Sequence, residues 1–188
     1  MVRTWVAVCS LMLVVSSNCL AYNKFVAEYV TRLIYAGKFD ETENYLASAS
    51  SYLFPDPTAS FLLGSFYLGG CVFKRNLKRA DVYITKAANL GLPEAIHSLG
   101  DGYYSGDIRE KNIEKALECY KKAANLGYGP SQFNAGVVLL NTATSKRELK
   151  LSIYYLSQAA GNIEDLGEIT KDAEHYKANA KDKLRNFK

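Results

Sequence analysis

The strongest constraint on this chain is that it repeats itself every 36 residues. When residues 56–91 are written above 92–127, fourteen of the 36 columns carry the same residue. Among them are Leu63/Leu99, Gly64/Gly100, Tyr67/Tyr103, Gly70/Gly106, Asn76/Asn112 and Ala80/Ala116, and both copies close on the block KAANLG. A further 36 residues on, Gly136, Ala159 and Ala160 fall in register and Phe133 stands below Phe61. That third copy, 128–163, is degraded: Leu139 replaces the tyrosine, Thr142 the second glycine, and Asn162-Ile163 the closing glycine. A fixed period of this length marks stacked supersecondary units, each unable to bury its apolar face without a neighbour.

Each copy reads as two helices. The first spans about 58–68, 94–104 and 131–140, with Pro57, Pro93 and Pro130 at the start, where a missing N–H costs little. The second starts near Leu77, Ile113 and Leu149 and runs to the Ala-Ala pair, with Gly91 and Gly127 as stops. Gly64, Gly100 and Gly136 sit mid-helix, where glycine costs about 1 kcal/mol against alanine. Three such costs at one spacing predict close backbone approach, with Ala87-Ala88 and its counterparts as the expected neighbours. Tyr67 and Tyr103 are expected to fill the groove beside this contact and still reach water.

The pattern A-x-x-x-L-G-x-x-Y-x-x-G, a short loop, then K-A-x-x-x-Y-x-K-A-A-x-x-G resembles the Sel-1-like repeat family. The second copy carries it through Ala95, Leu99, Gly100, Tyr103, Gly106, Lys115, Ala116, Tyr120, Lys122, Ala123, Ala124 and Gly127. The resemblance covers about 58–161 and implies an all-α fold: a right-handed α-solenoid of antiparallel, tetratricopeptide-like helix pairs. It also implies a non-enzymatic module that binds a partner protein or peptide in the concave face. Some envelope members of the family act as immunity proteins that block a secreted toxin, which is the alternative function.

The flanks read as caps. Residues 22–55 contain apolar positions 26, 30, 33, 34, 39, 45 and 46 around an Ala36-Gly37 turn, which predicts a tetratricopeptide-like helix pair. Residues 164–188 form a polar helix with Leu166, Ile169, Ala173, Tyr176, Ala180 and Leu184 on its apolar side, suited to closing the end of a solenoid. Residues 1–21 have the layout of a cleaved secretory signal: Arg3, an apolar stretch from Trp5 to Val15, then Cys19 and Ala21 as small residues before the cut. The expected location is therefore the periplasm or the cell exterior. Cys71 and Cys119 would then be the remaining cysteines, and their different repeat positions predict a loop thiol and a buried thiol rather than a pair.

Twenty-three Lys and Arg stand against 19 Asp and Glu, a balance too mild for a nucleic-acid binder. The densest basic run, Lys74, Arg75, Lys78 and Arg79, reads as a solvated loop, so membrane association is expected to be weak or absent. There is no G-x-S-x-G, P-loop or H-E-x-x-H. His97 and His175 lack the company a metal site needs, so no metal or other cofactor is expected. Cys119 is expected in the core and not as a nucleophile. What remains is a binding surface on the first helices, three before, one after and four after each mid-helix glycine. These positions are Phe61, Ser65 and Leu68; His97, Asp101 and Tyr104; and Phe133, Val137 and Leu140. The phenylalanines could equally be core. His97 with Asp101 also allows a weaker reading, a cell-wall-acting enzyme or its accessory.

Overall fold

The computed structural model describes residues 21–51, 55–161 and 167–187. Its elements among them are helices: α1 (Ala21–Tyr35), α2 (Phe39–Ser51), α3 (Pro57–Gly69), α4 (Leu77–Asn89), α5 (Pro93–Ser105), α6 (Ile113–Asn125), α7 (Gly129–Thr142), α8 (Lys146–Gly161) and α9 (Gly167–Arg185). The chain divides into two compact units, Met1–Leu92 and Pro93–Lys188. The expected leader, up to the start of α1, and Leu166 lie outside the described residues.

In the first unit, α1 packs on α2, α2 on α3, and α3 on α4. Val26, Val30, Leu33, Ile34 and Leu46 are buried as the apolar period requires, but Phe39 is exposed and Tyr45 half-buried. Gly37 and Gly91 end α1 and α4 with φ of 73° and 89°. In each case the next residue's N–H reaches back five residues, from Lys38 to the Leu33 carbonyl at 3.0 Å and from Leu92 to Ala87 at 3.2 Å. Glycine is needed there because the left-handed conformation crowds any Cβ. Glu43 of α2, Tyr67 of α3 and Arg79 of α4 then tie three helices together. The Arg79 guanidinium meets the Glu43 carboxylate at 3.0 Å, and the Tyr67 hydroxyl hydrogen-bonds to both. Burial, reinforced by Glu43, pushes the Tyr67 phenol up to about 12. The groove tyrosine is thus buried and its hydroxyl meets protein rather than water.

The second unit repeats the frame: α5 with α6, α7 with α8, and α9 against α8. Asn76 and Asn112 act alike in the two better copies. Each side chain caps the following helix, accepting from Arg79 N at 3.0 Å and Lys115 N at 2.8 Å. Each backbone N–H reaches the groove tyrosine's carbonyl, Tyr67 at 2.9 Å and Tyr103 at 2.8 Å. Cations follow in register: Arg79 lies 5.1 Å from the Tyr67 ring centre and Lys115 lies 5.6 Å from that of Tyr103. The third copy departs from this frame consistently. Leu139 and Leu151 stand where tyrosine and cation stood, and both join the apolar core. The loop shrinks to three residues, closed by a reciprocal cap in which Ser145 Oγ accepts from Glu148 N at 3.2 Å and Glu148 Oε2 accepts from Ser145 N at 3.0 Å.

The mid-helix glycines do mark close approach, but the neighbour is not the alanine pair. A Cβ on Gly64 would lie 2.7 Å from Ile84, on Gly100 2.6 Å from the Tyr120 ring, and on Gly136 2.5 Å from Leu156. These three partners are themselves 36 residues apart. Ala87, Ala88, Ala123, Ala124 and Ala159 are buried nearby. The expectation for Cys71 also needs correction: it is disulfide-bonded. Cys119 is a free, half-buried thiol, so the two are not joined to each other.

Candidate functional site

The nine expected face positions meet three different fates. In the first unit Phe61, Ser65 and Leu68 on α3 are half-buried. In the third copy the face is already covered. Phe133 meets Tyr176 of α9 edge-on at 5.6 Å between ring centres. Leu140 is buried with Leu149, Leu156 and Ala180, and Phe133, Val137, Tyr176 and Leu184 pack against that cluster. Lys183 of α9 adds a hydrogen bond of 2.8 Å to the Leu140 carbonyl. Phe133, Val137 and Leu140 therefore belong to the interior that α9 closes. The physical reason is that an apolar face at the end of a repeat array must be covered, and the chain's own last helix covers it.

The second copy keeps its face open. Asp101 has 53% of its side chain exposed and Tyr104 is 45% exposed, whereas the His97 side chain shows 15%. His97 sits between α5 and α7, with its ring centre 5.2 Å from that of Tyr128 and 5.5 Å from that of Tyr120. Nε2 lies 3.4 Å from Asp101 Oδ2, and Nδ1 lies 2.8 Å from Ser131 Oγ. An ionised carboxylate only accepts, so Nε2 carries the proton and Nδ1 accepts the serine hydroxyl. Burial lowers the His97 pKa, and the half-exposed Asp101 offsets this only in part, so the ring is neutral near pH 7. The Tyr120 hydroxyl donates to Asp101 Oδ1 at 2.8 Å. Burial first, then that carboxylate, push the Tyr120 phenol up, so it remains a donor.

The network is specific to this copy. In the columns of His97, Asp101 and Tyr120 the first copy has Phe61, Ser65 and Ile84, and the third has Phe133, Val137 and Leu156. The three polar residues come together, and each gives the others a partner that a buried or half-buried polar group requires. Both Asp101 oxygens are thereby held from behind while the carboxylate still faces water, with the exposed Tyr104 three residues on along α5.

Ser131, His97 and Asp101 line up as hydroxyl, imidazole and carboxylate. Ser131 is completely buried, however, so its Oγ meets no substrate, and the chain of bonds clamps α5 to α7. Burial pushes the Cys119 thiol up, away from the thiolate a nucleophile needs. His175 is exposed, 3.2 Å from the Asn179 amide. Among the described residues there is no group of three or more His, Cys, Asp or Glu arranged to hold a metal, and no helix long and apolar enough to cross a membrane. Lys74, Arg75, Lys78 and Arg79 are exposed, with Arg79 held by Glu43 and Tyr67.

The face positions do not include the aromatic row on the N-terminal pair. Phe25 and Tyr29 stack at 6.4 Å, and Tyr29 meets Tyr45 edge-on at 4.8 Å. Phe25 and Tyr29 are exposed, although they flank buried Val26 and Val30. The sequence signal was the aromatic one residue before each buried valine.

The family model "Sel1 repeat" matches residues 57–92, 93–128 and 130–162, together more than half of the chain. Among solved structures, the chain is similar to a Sel1 repeat protein from Oxalobacter formigenes, with 22% identity and a TM-score of 0.65 over 79% of this chain and 59% of that one. It is also similar to c5321, described as a protective antigen present in uropathogenic Escherichia coli strains displaying an SLR fold. There the identity is 27% and the TM-score 0.57, over 64% of this chain and 25% of that one. The chain thus spans about three-fifths of the first protein's length and a quarter of the second's. No curated protein matches it.

Proposed function

The chain belongs to the Sel1 repeat family, whose repeats generally serve as protein-interaction modules, and on that premise we propose that it binds a partner protein through the open face of its second repeat, without catalysis. The observation that carries this is the Asp101–Tyr104 pair. It is an exposed carboxylate, oriented by His97 and Tyr120, beside an exposed tyrosine ring. A carboxylate held in place loses little side-chain entropy on binding, and a tyrosine supplies a large, stiff contact surface. Ser131's complete burial supports binding over hydrolysis at this site. The leader-like pattern of residues 3–21 supports a partner in the bacterial periplasm or outside the cell.

The test is affinity capture from a cell-envelope fraction with wild-type protein and with a double variant, Asp101→Ala with Tyr104→Ala. A protein retained by the wild type and lost with the variant is the expected result. Equal retention by both would remove this face from the account.

A further inference from the structure

The open face of the second repeat carries a charge that its own neighbours do not answer. Glu41, Glu43, Glu174 and Asp182 each meet the ammonium or guanidinium of a lysine or arginine. Asp101 is held differently. The Tyr120 phenol stands on its Oδ1 at 2.8 Å and the His97 ring on its Oδ2 at 3.4 Å, and both groups are neutral near pH 7. The carboxylate therefore keeps its negative charge, with 53% of the side chain in water. The acid belongs to this copy alone, for its column reads Ser65, Asp101, Val137.

Three helices converge here. Asp101 and Tyr104 come from α5 and Tyr120 from α6, and the Asn134 side chain of α7 and the Tyr104 phenol both stand close enough to act on the Tyr120 hydroxyl. Tyr104 thus shares the surroundings of the carboxylate while 45% of it is exposed. An ionised carboxylate offers about four lone-pair positions, so one donor on each oxygen leaves both able to accept again. An exposed ion pair ordinarily gains little, because two long side chains must be ordered to form it. Here folding has already ordered the acid, and only the incoming cation loses freedom.

We infer that Asp101 anchors an arginine side chain presented by the partner protein, an inference that rests on the protein-binding reading and gives that face its ligand chemistry. A guanidinium is the cation whose two parallel N–H groups match the two oxygens of one carboxylate. Its flat face also packs on an aromatic ring, which Tyr104 supplies. A lysine ammonium meets the same carboxylate as a point charge and forgoes the paired geometry.

The test is an NMR titration of the isotope-labelled full chain with the peptide acetyl-Gly-Arg-Gly-amide and with its citrulline counterpart, which keeps the shape and loses the charge. The arginine peptide is expected to give saturable shifts at Asp101, Tyr104 and Asn134, with the citrulline peptide about tenfold weaker. The lysine counterpart is expected to bind roughly threefold more weakly than arginine. Asp101→Asn keeps the size of the side chain and removes its charge, and is expected to weaken the arginine response about tenfold. Tyr104→Ala, at an exposed position, is expected to weaken it about two- to fivefold. Equal response to arginine and citrulline, no response to either, lysine binding as tight as arginine, or undiminished arginine binding by folded Asp101→Asn protein would overturn the inference. A partner captured from the envelope fraction, with no preference for arginine in the titration, would sink the inference and leave the protein-binding reading standing. Arginine binding with no captured partner would do the reverse.

Discussion

The second and third repeats share one frame and use it in opposite ways. Gly100 lies under Tyr120 and Gly136 under Leu156 at the same spacing, yet the outer columns diverge. Copy two spends them on His97, Asp101 and Tyr104, a polar network with an open front. Copy three spends them on Phe133, Val137 and Leu140, which α9 covers. Periodicity fixes where a side chain emerges from its helix; the next element along the chain decides whether that place is surface.

Five substitutions probe this contrast. The largest effect is expected from Phe133→Ala, which strips the Tyr176 contact and loosens α9. Because Phe133 is half-buried, the loss should be about 2–3 kcal/mol, below the 3–5 typical of a fully buried phenylalanine. Urea unfolding measures it, and a change under 1 kcal/mol would mean that α9 does not lean on this face. Next come Gly136→Ala and Gly100→Ala. Each forces a Cβ into its partner, and after the helix-propensity gain the net loss is about 1–2 kcal/mol. Gly136→Ala should be the worse, because the Leu156 backbone nitrogen, 3.2 Å from the new atom, cannot move aside.

A smaller effect is expected from pH. Burial holds the folded His97 pKa below its ordinary value near 6.5, so between those two values the unfolded chain binds more protons than the folded one. The His97 contribution is fully present above pH 6.5. It declines as the pH falls through that value and levels off once the folded ring also protonates. His97→Phe, which installs the residue of the other two copies, should flatten the part of a Tm-against-pH curve below 6.5 that His97 causes. A curve that keeps its full slope would assign it to other groups. The smallest effect on folding is expected from Tyr104→Ala, within about 0.5 kcal/mol, because the ring is half in water. A larger loss would make Tyr104 part of the core.

Much of this was legible in the sequence. The 36-residue period placed the paired helices within three residues of their observed ends, and Pro57, Gly91 and Gly127 act as the punctuation their positions suggested, whereas the capping by Asn76 was legible only as a repeated column. The partners of the mid-helix glycines were not legible. Their column reads Ile84, Tyr120, Leu156, and identity matching passes over a column that conserves only bulk. Copy three's buried face was hidden for a different reason. The C-terminal helix stands outside the repeat, so no register reports what it covers. Asp101 with His97 was visible as an i, i+4 pair, but Tyr120 and Ser131 lie 19 and 34 residues from their partners and are joined only by folding.

The account stands most directly on the second repeat's open face. A photo-reactive phenylalanine placed at Tyr104, and separately at Leu140, would be irradiated in living cells. The account predicts that position 104 joins to one separate protein, that adding Asp101→Ala abolishes this product, and that position 140 yields only links within the chain. A separate protein captured at 140 and none at 104 would contradict it.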